Sequence, residues 1–319
     1  MPREYTAVSV KGMNKVKNNK QSAIKKSGSI KSLLQRNLTA WLLLIPSVLL
    51  FYFFIWRPIG VGIVYSFFKL KNYVPVEFVG LKNYKAVIGD VLFIKTLTNS
   101  AKYVLWSFVI GYLPPIFLAV LINEIVHMNS FLKASIYFPA ICPVVAAGLI
   151  WYFLYLPGNS GVLNLILAKF GLPAQQWLQD SKMTIPLIIV MMTWHGMGSS
   201  MLLYLASLQG VNQELYEAAK IDGASIPRRF TTVTMPAIFP IMLLSFVRQI
   251  IGVFQVMAEP MTMTDGGPNN ASISLNLQGF KYAFQSFQPE KALALGVVTF
   301  VILMVVTCFY FRMQNKFGD

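Results

Sequence analysis

From position 38 onward the chain alternates long apolar runs with short polar stretches. Several of these runs approach the ~20 residues that a helix needs to cross a bilayer. Six can be delimited. The first runs from about Leu38 to Trp56, contains Pro46 and ends at Arg57-Pro58, with a weakly apolar continuation to Phe68. The second covers roughly Thr96 to Ile122 and is interrupted by Gly111 and Pro114-Pro115, where lost backbone donors predict a kink that neighbouring helices must absorb. The third, about Ala134 to Leu156, holds Pro139, Pro143 and Gly148. It ends in Trp151, Tyr152, Phe153 and Tyr155, the aromatic belt expected at a membrane–water interface. The fourth is about Thr184 to Leu208 with Gly196 and Gly198 near its middle, the fifth Pro236 to about Pro260, the sixth Lys291 to Phe311.

The polar stretches between them are short. Residues 69–95 carry Pro75, Gly80 and Gly89 as breakers and are too few to hold a core. The stretch 157–182 predicts one short helix near Val162–Phe170, and 313–319 is a brief tail. Composition agrees: 55% of residues are hydrophobic, 12% are charged and the mean hydropathy is +0.58, against about 25% charged in a soluble domain. The expectation is an all-α polytopic membrane protein with six transmembrane helices over residues 38–312. Interrupted helices suit a protein that rearranges around a path, although membrane spans are often interrupted in this way.

The net charge of +15 suggests nucleic acid until its distribution is considered. Nine Lys/Arg and one acid lie in residues 1–37, a stretch with few apolar residues that is expected to be disordered. A basic tail before a first span holds the N-terminus in the cytoplasm and can touch anionic membrane lipid. With six spans, the C-terminus and the polar stretch 211–235 are then cytoplasmic too. Nucleic-acid binding is not expected. No signal-peptide layout is present, because the first apolar run lies too far in and is too long. Cys142 and Cys308 sit in apolar runs and read as small buried hydrophobes. His127 and His195 have no cysteine or carboxylate at metal-ligand spacing, and no phosphate-cradling G-x-x-x-x-G-K-[ST] loop occurs.

The stretch around Tyr216–Pro236 is the most polar run in the second half. Asn212 is placed to cap a helix whose first turn holds Gln213-Glu214, where acids favour the dipole. Leu215, Ala218, Ala219 and Asp222 fall on one side, and the two alanines keep that face thin. Glu217 points elsewhere. Gly223 breaks the helix, after which Ser225 and Pro227 begin a second short helix bearing Arg228 and Arg229. Physics alone leaves this loop either a solvated connection or a docking surface.

Its residues resemble the EAA loop of binding-protein-dependent ABC importer permeases. Glu217-Ala218-Ala219, Gly223 and Val233-Thr234-Met235-Pro236 match that pattern, with Val and Met in place of Ile and Leu, and Asp222-Gly223-Ala224 matches the carbohydrate subfamily. Phe78-Val79-Gly80-Leu81-Lys82-Asn83-Tyr84 is similar to that subfamily's segment after the first span. Phe138-Pro139, Trp151 and Gly161-Val162-Leu163-Asn164 fit its third span and the following loop, and Thr264-Asp265-Gly266-Gly267-Pro268 its turn after the fifth span. The likeness covers roughly residues 38–312 and is nearest to the maltose and glycerol-3-phosphate type.

The resemblance implies a type I importer fold in the bacterial cytoplasmic membrane. It also implies a second homologous permease subunit, two cytoplasmic ATPase subunits carrying ATP and Mg, a solute-binding protein, and an oligosaccharide substrate that is neutral or acidic. The chain itself then takes no cofactor and is no enzyme. Glu217, Ala218, Ala219, Asp222 and Gly223 would couple to the ATPase, with Arg228 and Arg229 at the rim. The substrate path would lie among the fourth to sixth spans. Intramembrane polar residues are costly and default to function, so Trp194, His195, Gly196, Arg248, Gln249, Phe254, Gln255 and Glu259 are its candidates. Arg248 is open to a structural role instead, and His195 to simple packing. Two other classes compete. A secondary transporter should show internal repeats, and none is convincing. An intramembrane enzyme would need a paired nucleophile and base or a metal set, which two isolated histidines do not supply.

Overall fold

The computed structural model describes residues 38–124 and 129–317. The basic tail 1–37, His127 and the last two residues lie outside the described residues. The chain divides into two units at Gly62–Ile63.

The described part of the first unit is helical. Helix α1 (Leu38–Phe51) passes through a π turn, Tyr52–Trp56, into α2 (Arg57–Tyr65), so the span extends beyond the expected end at Trp56. Arg57 N–H bonds Tyr52 O, five residues back. That wider turn relieves the clash a proline at 58 makes with the carbonyl four residues earlier.

The second unit opens with an antiparallel hairpin, β1 (Phe68–Lys71) and β2 (Val74–Phe78). Asn72 and Tyr73 both take positive φ, 50° and 64°, the two-residue turn that matches strand twist. These strands fall within the stretch expected to be a small polar connection. Helices α3 (Lys82–Ile88), α4 (Val91–Trp106) and α5 (Leu113–Glu124) follow, the last two joined by a π turn at Ser107–Gly111. Gly111 and the paired prolines thus mark a widened turn within one continuous span, Val91–Asn123. Then come α6 (Asn129–Ile141) and α7 (Val144–Leu154), bent by 95° at a break. Pro143, with φ −55° and ψ 135°, is extended and cannot continue α6.

The second half holds α8 (Val162–Lys169), α9 (Thr184–Gln209), α10 (Gln213–Ile221) and α11 (Ile226–Arg229). A π turn leads on to α12 (Met235–Phe254), followed by α13 (Ala258–Thr264), α14 (Leu275–Phe280) and α15 (Pro289–Phe317). Among the described residues five helices are long and apolar enough to cross a membrane, six if the bent α6–α7 pair is one span. The fifth span ends at Phe254 rather than Pro260. The chain restarts at Ala258, which places Pro260 in the first turn of α13, where a proline is well tolerated.

Helix α9 is the axis of this unit. Met201, Tyr204, Leu205 and Leu208 bury against Ile116, Ala119 and Ile122 of α5 and Ile238 of α12. Nearer its start, Ile185, Ile188, Ile189 and Met191 pack with Tyr103, Ala147 and Tyr155. Between them, Gly198 brings α9 against the α6 backbone: a Cβ there would lie 2.4 Å from Ile136 O and 2.7 Å from Tyr137 Cα. Gly196, two residues away, has nothing within 4 Å of its would-be Cβ.

The loop 265–274 is stitched to α4 by side chains. Asn99 Nδ2 donates to Asn270 O at 2.9 Å and Ile273 O at 3.0 Å, and Tyr103 OH donates to Ser272 O at 2.9 Å. Asp90 caps α4 by accepting from Leu92 N at 2.8 Å, and takes a bond from Tyr282 OH. Burial and that bond push the Tyr282 phenol up to about 12.

The two glycines give opposite expectations. Gly198→Ala forces α6 off α9 and costs about 1–3 kcal/mol, visible as a lower melting temperature in detergent. Gly196→Ala leaves melting unchanged or raises it by up to about 1 kcal/mol through helix propensity. Equal behaviour of the two would refute the close approach.

Candidate functional site

Two features hold the chemistry, one at an end of α9 and one along its length. At the end, α10 is closed at both termini. Asn212 Oδ1 accepts from Glu214 N at 3.0 Å. At the other end Gly223 takes φ +71°, Gly223 N bonds Lys220 O at 3.0 Å and Ala224 N bonds Ala219 O at 2.9 Å. That pair of bonds is a Schellman closure. Tyr216 OH and Thr234 Oγ1 lie 3.1 Å apart, tying α10 to the entry of α12. Glu217, Ala218, Asp222 and Gly223 are exposed and Ala219 is half-buried. Beside them Leu215 is 55% and Ile221 86% exposed. An isolated nine-residue helix is marginal in water, so the two caps and the tyrosine bond hold an apolar face outward. Arg228 is exposed, whereas Arg229 is half-buried and its Nε is buried with no hydrogen-bond partner among the described residues.

Along α9 lies a groove shared with the α4–α5 span and α12. A cavity of about 370 Å³ is lined by Tyr112, Ser199, Ser200, Ser245, Arg248 and Gln249, among others. A second, of about 100 Å³, is lined by Ser107, Thr193, Gly196 and Gln249. Gly111, Pro115, Ser200 and Gln249 belong to both. Gly111 is required there: a Cβ would fall 2.9 Å from Thr193 Oγ1 and 3.4 Å from Gln249 Nε2. Ser245 Oγ is buried without a hydrogen-bond partner among the described residues, at a cost of about 1–3 kcal/mol that a polar occupant would offset. Arg248 faces the same cavity and has no carboxylate partner among the described residues.

The candidates read from sequence therefore separate. Gly196, Arg248 and Gln249 converge on the cavities. Trp194 does not: its ring packs edge-on against Trp151 at 5.8 Å within the core. His195 Nε2 lies 2.8 Å from Cys142 O, so that nitrogen carries the proton and ties α9 to the break between α6 and α7. Phe254 is buried with Leu275, Tyr282 and Leu295. Gln255 is exposed at the end of α12, its backbone carbonyl accepting from Asn276 Nδ2 at 2.9 Å. Glu259 sits in the first turn of α13, beyond the span. Tyr112, Ser199, Ser200, Tyr204 and Ser245 line the larger cavity without having been singled out. The one signal for them was a polar Gly196-x-Gly198-Ser199-Ser200 run inside an apolar span.

Apolar spans enclosing a polar groove, with a rigid exposed helix between two of them, define a multi-pass membrane permease. The chain belongs to the family of binding-protein-dependent transport system inner membrane components, whose model matches residues 162–317. The arabinooligosaccharides transport system permease protein AraP of Bacillus subtilis (strain 168) is 30% identical over 300 residues, 93% of this chain and 95% of AraP. The sulfoquinovosyl glycerol transport system permease protein SmoG of Agrobacterium fabrum (strain C58) is 31% identical over 279 residues, 86% of this chain and 90% of SmoG. The fold is that of a chain in a bacterial ABC transporter involved in the import of the acidic polysaccharide alginate. That likeness has a TM-score of 0.81 at 22% identity, over 91% of this chain and 99% of that one.

Proposed function

We propose that the chain is one half of a heterodimeric pore in an ATP-driven, binding-protein-dependent oligosaccharide importer of the bacterial cytoplasmic membrane. The observation that carries this reading is α10: a doubly capped helix holding Leu215, Ala218 and Ile221 out of the protein between two spans. Exposed apolar groups on a rigid, thin face fit a groove in another protein. The partner is a cytoplasmic ATPase subunit, which supplies ATP and Mg; two of them serve the two permease halves. Glu217, Ala218, Ala219, Asp222 and Gly223 form the contact, with Arg228 and Arg229 as rim charges. The basic tail, α10 and the C-terminal end of α15 then share the cytoplasmic side, and a solute-binding protein delivers the saccharide on the other.

Closure of the ATPase acts as a differential ligand for one state of the bundle. Moving a two-state equilibrium from 1:99 to 99:1 takes about 5.5 kcal/mol. α10 is joined to α9 before it and through α11 to α12 after it, and these are two of the elements that line the groove. A displacement of α10 therefore reaches the cavity walls directly. Gln249, Ser199, Ser200 and Ser245 offer the hydroxyl and amide groups that saccharide hydroxyls pair with. AraP and SmoG are named for different glycosides, so kinship supports the saccharide class and leaves the sugar open.

The test is reconstitution with the second permease, the ATPase and the binding protein, and uptake of a panel of neutral and uronic oligosaccharides. Uptake by the chain alone, or uptake independent of nucleotide, refutes the proposal and favours a secondary transporter. Gly223→Pro cannot adopt φ +71° and loses the bond to Lys220. It should leave insertion and assembly intact and cut uptake roughly 5–150-fold, the range of a coupling of about 1–3 kcal/mol. Ala218→Trp, which leaves the backbone alone, should do the same; retained uptake in both removes α10 from the contact. Gln249→Ala should lower uptake while ATPase binding to the complex is retained. Equal loss of both would take Gln249 out of the path.

A further inference from the structure

A third cavity, of about 310 Å³, lies toward the end of α9 opposite α10. Its lining brings Lys95, Lys102 and Trp106 of α4 together with Ser181, Lys182 and Ile185 at the start of α9. On α4 the two lysines are seven residues apart, with Asn99 between them and Trp106 one turn on. The lysines span about 10 Å at the helical rise. Lys182 lines the same cavity from the start of α9, so three exposed lysines share one space.

Among the described residues none of the three pairs with an acid. The lining of the cavity contains no aspartate or glutamate, and among the described residues the one ion pair is Lys281–Asp265 elsewhere. Asp180, the nearest acid in sequence, spends Oδ1 on the Lys182 backbone N–H at 2.8 Å. The same sign recurs further along. The second cavity begins at Ser107 and Ile189, next to Trp106 and one turn past Ile185, and leads through Gln249 to Arg248. The three cavities follow the same two walls, and every charged residue lining them is a cation.

We propose that the Lys95–Lys102–Lys182 cavity is an entry subsite for the carboxylates of an acidic saccharide, which the importer takes in preference to a neutral one. Ammonium groups supply charge without demanding a fixed approach angle, which suits a subsite that must release its ligand onward. The half-buried Trp106 ring gives a sugar face an apolar wall, and Ser181 offers a hydroxyl. Cations lining a cleft with low-dielectric walls also concentrate anions at its mouth. The proposal rests on the importer reading above and adds the charge of its substrate.

The test uses the whole reconstituted complex in vesicles, with trimer-to-pentamer digests of pectate and alginate as probes against their carboxyl-reduced counterparts. The expected result is a lower KM for the acidic set, rising with ionic strength. In Lys95→Gln/Lys102→Gln/Lys182→Gln the ratio of acidic to neutral KM should rise at least about tenfold, the equivalent of 1.4 kcal/mol. Lys102→Arg in the otherwise native chain should keep the native ratio, separating charge from a folding defect. An unchanged ratio in the triple variant overturns the proposal. So does a ratio that follows the phosphatidylglycerol content of the vesicles instead, which would make a lipid headgroup the occupant. Nucleotide-dependent import of neutral sugars alone overturns this subsite and leaves the importer standing. Absence of any nucleotide-dependent import overturns the importer reading as well.

Discussion

Side chains of the second span make the hydrogen bonds that the loop 265–274 cannot make for itself. Backbone polar groups buried away from water must be satisfied within the protein, and this loop has no helix to do so. Asn99 and Tyr103 take the carbonyls of Asn270, Ile273 and Ser272, and Ser100 Oγ accepts from Leu275 N at 3.3 Å. Ser274 then reaches back from the loop to Val256 O, just past the end of α12. The chain of bonds thus runs from α4 through the loop to the foot of the helix that carries Arg248 and Gln249. The groove keeps its shape because its two outer walls, α4–α5 and α12, are cross-linked at that end.

At the opposite end the design differs. There α10 makes few contacts, and its order comes from local closure at Asn212 and Gly223 plus the tyrosine bond to Thr234. A piece held by its own caps moves as a body, and a force applied to it by the proposed partner would pass into the helices on either side. Stiff walls at one end and a rigid, lightly attached lever at the other suit a groove that opens by rotation of helices rather than by melting. The 26-residue α9, about 39 Å long, connects the two ends. Its Gly198 contact with α6 extends the connection to the broken third span.

What was legible in the sequence follows from the range of the interactions. The α10 motif is local: a cap two residues from its first acid and a glycine at a left-handed position are visible in a window of a dozen residues. The broken third span was foreshadowed by Pro139 and Pro143, though not its right-angled bend. The hairpin at 68–78 was missed because Asn72-Tyr73 is not a Gly-containing turn and Pro75 interrupts the second strand. The cavity-lining residues were the hardest, because a cavity needs three helices in register. Ranking spans by their bulky polar and aromatic residues put Trp194, His195 and Phe254 forward, and each is satisfied in the core, His195 by a single carbonyl. The serines that line the groove are small, and an isolated serine in an apolar helix more often bonds its own backbone.

The placement of charge was also hidden, since net charge and topology explained most of the basic residues without recourse to a site. Within the spans that line the groove, Lys102 and Arg248 stand well inside the helix ends, at positions 12 and 14 of α4 and α12. A lone cation facing hydrocarbon is costly. Both instead line cavities, where water or an anion can reach them. Substituting leucine at either position would make the span more apolar, yet the chain keeps a cation at both. The cost of holding them in a membrane is what ties these two residues to the groove rather than to the packing of the bundle.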